Sequence, residues 1–313
     1  MPTTKNKTID APLSSAELFC NMTGGMAFRI VEMYKNIRTS LLFTLSDDKE
    51  HIVVITSAEP NSGKSVTTAN LGLSFAQTGA KVLIIDCDMR NPSQQKIFEQ
   101  DNTQGLSNVL SNMCTFEDTV KHDVFENLDI LTAGQTPPNP SELLASQSFE
   151  LLLRSMEEQY DYIILDCPAG IEQGFQNAIA AADRAIVVTT PEVSAIRDAD
   201  RIVGLLEAND FSKIDLVVNR VRNDLIKRGD MMSINDVVDI LSIPLLGFVP
   251  DDENVVIATN QGEPLVGSNT YAGIAYMNIT KRVTGLEVPL MEFPKTVTFW
   301  TRVSEIFKKK QEV

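Results

Sequence analysis

Eight consecutive residues carry the clearest chemical potential in this chain: Ala58-Glu59-Pro60-Asn61-Ser62-Gly63-Lys64-Ser65. They lie between an apolar run and a helical stretch. Successive backbone N–H groups of such a loop, with a helix N-terminus behind them, cradle phosphate. Pro60, Asn61, Ser62, Gly63 and Val66 would line that cradle. Lys64 would reach the β- and γ-phosphates, and Ser65 would ligand Mg²⁺. Ala58 stands where the generic pattern has its first glycine. Two more apolar runs end in carboxylates, Asp86 and Asp88 in LIIDCDMR and Asp166 in IILDCP. In open sheets of alternating strands and helices, ligands bind at the carboxyl ends of strands. Carboxylates there can hold a metal ion with its waters and orient or deprotonate a nucleophile. The expected division of labour is therefore Lys64 on phosphate and Ser65, Asp86 and Asp166 on Mg²⁺. Asp86 and Asp88 would handle the acceptor.

The elements that must position these groups are legible as well. HIVVITS (51–57), KVLIID (81–86), NLDILTA (127–133), DYIILD (161–166), RAIVVTT (184–190), KIDLVVN (213–219) and PLLGFVP (244–250) read as strands. Helical stretches follow each, among them 63–77 and the segment after PPNP, for which Ser141 is the expected cap. Near-continuous Val, Ile and Leu runs indicate a mostly parallel sheet covered on both faces, a doubly wound α/β fold. Asn219-Arg220 and Pro250 each close a strand, so their loops would meet the base of a nucleotide lying along the sheet edge.

The chain has 313 residues and a formal net charge of −15, which excludes an extended nucleic-acid footprint. No apolar run approaches the roughly 20 residues of a spanning helix. The first 20 residues lack the pattern of a signal peptide. Cys20, Cys87, Cys114 and Cys167 fit neither a zinc site nor a disulfide framework, as expected of a reduced cytoplasmic protein. His51 and His122 have no partner motif.

Residues 1–25 read as a flexible arm, 26–290 as the P-loop domain, and 291–313 as a linker with an amphipathic tail. Residues 295–313 carry net +3, against −18 for the rest. On a helix, Phe299, Trp300, Val303, Ile306 and Phe307 would share an arc of about 120°, bordered by Arg302 and Lys309. That pattern suits a helix lying in an anionic membrane surface. Glu32, Lys35 and Arg38 share a face of the helix expected over 26–43, a candidate subunit contact. EVSAIRDADR (192–201) reads as a charged helix start.

Two family resemblances overlie this reading. Residues from about 26 to 165 resemble the bacterial tyrosine kinases of capsule and exopolysaccharide synthesis. SAEPNSGKS, LIIDCDMR and LTAGQTPPNPSELLAS carry the likeness, and EMYKNIR looks like that family's oligomerisation motif, with Lys35 where Arg is usual. Residues from about 166 to 313 resemble the MinD family of septum-placing ATPases, in DCPAGIEQG, TTPEVSAIRDADRIVG, NRVRNDLIKRGDMM, NQGEP and the basic tail. Both families share a doubly wound P-loop fold. The MinD resemblance implies that Asn219 contacts adenine and that the surface of 192–201 could receive a regulator. It also implies an ATP-dependent dimer, although Glu59 stands where that family has a second lysine. The kinase family usually ends in a tyrosine cluster, and no tyrosine lies in this tail.

The expected function is γ-phosphoryl transfer from ATP·Mg²⁺, of the capsule tyrosine-kinase type. The alternatives are a membrane-cycling, MinD-like ATPase in division-site placement and a nucleotide-binding scaffold without useful turnover. The expected location is the cytoplasm, peripherally at the inner face of the cell membrane.

Overall fold

The structure, a computed structural model, describes residues 52–293 apart from 172, 212, 263, 264 and 267. The arm, the Glu32/Lys35/Arg38 face, His51 and the tail with Phe299 and Trp300 lie outside the described residues. Within them, eight strands form one sheet in the order β3-β4-β2-β5-β1-β6-β7-β8. The strands are β1 (Ile52–Thr56), β2 (Val82–Asp86), β3 (Lys121–Phe125), β4 (Leu128–Leu131), β5 (Tyr162–Asp166), β6 (Arg184–Thr189), β7 (Ile214–Val221) and β8 (Leu245–Pro250). All neighbours are parallel except β3 and β4.

Burial follows composition. Every residue of β1, β2 and β5 is buried, as expected for central strands covered on both faces. The phosphate-loop helix α1 (Lys64–Ala76) has 11 buried residues out of 13. It packs closely on the sheet because a Cβ at Gly72 would stand 2.5 Å from Ile84 Cδ1.

The seven expected strands are present with ends shifted by one or two residues. The eighth, β3, was not expected. Its sequence, KHDVF, is half-exposed at the sheet edge and shows no apolar run. It reverses into β4 through Asn127, held at φ 64°. Ser141 is not a helix cap. That helix runs Pro140–Leu144 with Asn139 at its N-cap, because Pro140 takes the first helical position, where its missing N–H costs nothing.

Candidate functional site

β1 ends at Thr56 between β5 and β6, and the chain turns through Ser57–Gly63 into α1. Two left-handed residues make the turn, Asn61 at φ 62° and Gly63 at φ 94°. Gly63 is required twice over. A Cβ there would be strained by its φ and would lie 2.1 Å from Asn219 Nδ2. That amide nitrogen, brought from β7, donates to the Ser62 carbonyl at 2.8 Å. No acidic side chain sits in the first turn of α1, so the positive helix end is unopposed there.

Lys64 is buried, with its Nζ donating to Asp166 Oδ1 at 2.5 Å and to Ser65 Oγ at 3.3 Å. Burial alone would lower its pKa, but Asp166 and then Asp86 and Asp88 outweigh that and raise it. Lys64 therefore stays a cation although it is buried. Thr68 Oγ1 also donates to Asp166 Oδ1, at 3.4 Å. Gln94 Nε2 donates to the other carboxylate oxygen at 2.7 Å and to the Ser65 carbonyl at 3.0 Å.

Asp86 and Asp166 end adjacent strands in register. Asp86 is fully buried at the end of β2. Its two oxygens receive the backbone N–H groups of Asp88, Ser93 and Gln94, at 3.1, 2.9 and 2.9 Å. These bonds fold residues 86–94 into a closed turn ahead of the short helix α2 (Gln94–Ile97). Burial, then repulsion from Asp166, pushes its pKa up to about 7. Asp88 is half-buried, accepts from Asn91 N at 3.0 Å, and lines the open groove above the loop.

That groove has a volume of about 890 Å³, and Glu59, Pro60, Asn61, Lys64, Ser65 and Asp88 are among its walls. A second hollow of about 170 Å³ adjoins it, lined by Asn219, Arg220, Pro250 and Tyr276 and by α11 (Glu253–Asn260). Gly63, Val66, Arg220, Thr259 and Asn260 line both, so the two are continuous. The expected phosphate and base residues thus converge on one cleft. Ser62 is buried, and its Oγ has no hydrogen-bond partner among the described residues.

No three His, Cys, Asp or Glu among the described residues could hold a metal by themselves. The oxygens beside the loop, from Ser65, Asp88 and Asp166, are a hard set that fits Mg²⁺ shared with phosphate. Asp86, expected among the ligands, receives three backbone donors, one on Oδ1 and two on Oδ2.

Elsewhere, Glu192 precedes α8 (Val193–Ala208) and its side chain accepts from Thr190 Oγ1 rather than capping the helix, and the exposed face of α8 carries an Arg201–Asp198 pair at 3.1 Å. Cys87 and Cys167 are free thiols pushed up by burial, hence inert. His122 does have a partner: its Nδ1 lies 2.7 Å from Asp129 Oδ2, which also accepts from Tyr160 OH at 2.6 Å. Gln94 and Thr68 escaped the sequence reading, because neither residue type announces a role. The available signal was the closeness of Gln94 to the Asp-x-Asp turn.

Residues 50–216 match the AAA domain family. The septum site-determining protein MinD of Synechocystis is 43% identical over 247 residues, 77% of this chain and 92% of that protein. MinD of Bacillus subtilis is 43% identical over 244 residues, covering 90% of its length. In the MinC:MinD complex of Aquifex aeolicus, a chain 35% identical is covered completely with TM-score 0.71 and 78% of this chain. MinD of Pyrococcus horikoshii, solved with Mg-ADP, is 26% identical with TM-score 0.67, covering 74% of this chain and 95% of that one. The kinase domain of the Escherichia coli tyrosine kinase ETK is 29% identical, with TM-score 0.51, 57% of this chain and 71% of its own. These matches correct the expectation of a tyrosine kinase. An alignment of 247 residues cannot fit within 166–313, so the MinD likeness extends far into the half that suggested the kinase.

Proposed function

The chain belongs to the MinD family of P-loop ATPases, and we propose that it hydrolyses ATP with Mg²⁺ while cycling on a membrane surface in division-site placement. The observation that carries this reading is the 43% identity to a MinD relative covered over 92% of its length, together with a phosphate loop whose Lys64 meets Asp166. Loop amides and Lys64 take the phosphate charge, and Asn219, Arg220 and Pro250 flank the base. Ser65 and Asp166 would hold Mg²⁺, which would supply positive charge to offset the charge gathering in the transition state. Lys64 exchanges Asp166 for phosphate oxygen, and burial keeps that interaction strong. Asp88, facing the groove, orients the attacking water. Asp86 holds the turn that places Asp88.

Assembly belongs to the same proposal. Two chains would pair with ATP bound, the Glu32/Lys35/Arg38 face would add a contact between copies, and the α8 surface would receive a regulator. One MinD relative was solved in a complex with MinC. No helix among the described residues is long and apolar enough to cross a membrane. The tail would hold the protein peripherally on the inner face through Phe299, Trp300, Val303, Ile306 and Phe307. Co-sedimentation with anionic vesicles tests this: binding should rise with ATP over ADP and disappear in a chain ending at Pro294. Equal binding by both chains would remove the membrane from the account.

A further inference from the structure

Gln94 is fully buried, and its side-chain nitrogen faces two acceptors, the Ser65 carbonyl and Asp166 Oδ2. Those neighbours fix the amide orientation, since a flipped group would set oxygen against oxygen. Oε1 is left buried with no hydrogen-bond partner. A residue serving only to fill space would not carry that cost, which a leucine or methionine avoids. The backbone N–H of Gln94 also holds Asp86. One residue thus joins the phosphate loop, the end of β2 and the end of β5.

We propose that Gln94 is a positioning residue for the metal side of the nucleotide site. Its two N–H donors hold the Asp166 carboxylate in register with the Ser65 backbone. Lys64 must serve phosphate when nucleotide binds; among the described residues, Asp166 then retains the Gln94 donor and the Thr68 hydroxyl, whose single proton also has the Lys64 carbonyl at 3.1 Å. Thr68 lies at 3.4 Å and Gln94 at 2.7 Å, so the amide is the stronger restraint. Groups that orient metal ligands typically change metal affinity by about 10–100-fold when removed.

This inference rests on the Mg²⁺-nucleotide reading above. The test uses the full chain as wild type, Gln94→Ala and Gln94→Glu, with a fluorescent ADP analogue. Binding is measured in EDTA and across a Mg²⁺ titration, and Mn²⁺ binding is followed by electron paramagnetic resonance. Gln94→Ala should bind nucleotide in EDTA within about twofold of wild type while its Mg²⁺ midpoint rises about 10–100-fold. Gln94→Glu keeps the shape but replaces the two amide N–H donors with a carboxyl facing Asp166, and should shift the midpoint as well. If Gln94→Ala does not fold, Gln94→Glu decides alone. An unchanged midpoint, a wild-type midpoint restored by Glu, or parallel loss of the EDTA affinity would overturn the proposal. A wild-type chain whose nucleotide binding ignores Mg²⁺ would defeat the metal reading and this inference together.

Discussion

The two ends of the cleft are held in different ways. At the phosphate end, Lys64, Asp86, Gln94 and Asp166 come from four segments, and none is more than 6% exposed. Each is bonded to another before any ligand arrives. At the base end, α11 has no buried residue, and Val256 is 62% exposed. The contrast follows from what each end must do. Charge stabilisation requires fixed dipoles in a dry site, where they act strongly and do not reorganise. Base recognition requires shape and a few polar atoms, which a surface helix can supply. Damage at the first end should therefore appear in turnover, and damage at the second in affinity.

The largest effect is expected from Lys64→Ala. Loss of one preorganised charge-stabilising group costs about 10²–10³ in turnover, or about 2.7–4 kcal/mol. Steady-state phosphate release measures it, and unchanged turnover would place the chemistry elsewhere. Gly63→Ala strikes the joint between the two ends. Its Cβ would displace Asn219 and force a residue with a side chain to φ 94°, a strain of about 1–3 kcal/mol. Nucleotide affinity and melting temperature should fall together, whereas a fall in only one would show that the ends are not coupled through this residue. Asn219→Ala removes one buried bond to the Ser62 carbonyl. A loss of about 1 kcal/mol, roughly fivefold in nucleotide affinity, with turnover at saturation preserved, would sharpen the distinction.

His122, at the sheet edge, serves as a control outside both ends. Its hydrogen bond to Asp129, together with the charges of Asp129 and Glu117, raises its pKa against partial burial. The stabilisation is therefore full below the unfolded value near 6.5 and is lost as pH rises through the folded value. An exposed pair of this kind is worth about 0.2–1 kcal/mol. His122→Gln should flatten the pH dependence of the melting temperature over that window and leave nucleotide binding untouched.

The phosphate loop and the strand-end acids were legible in the sequence because their chemistry needs particular residue types at fixed spacing. Apolar runs marked seven strands for the same kind of reason: burial on both faces leaves no polar positions. β3 was illegible because an edge strand pairs through its backbone and shows mixed side chains. Gln94 was illegible because its role depends on Ser65 and Asp166, which only the fold brings to it. For Asp86 the sequence marks the carboxylate but not its backbone donors, because the turn of residues 86–94 that supplies them forms only in the fold. The kinase expectation arose from motifs placed on a fold that hosts more than one acceptor.

The acceptor is the central claim, and γ-labelled ATP tests it most directly. The full chain with Mg²⁺ should release labelled phosphate continuously while no label enters tyrosine, and Lys64→Ala should abolish the release. Label accumulating on Tyr160, Tyr271 or any other tyrosine, without matching free phosphate, would contradict the account.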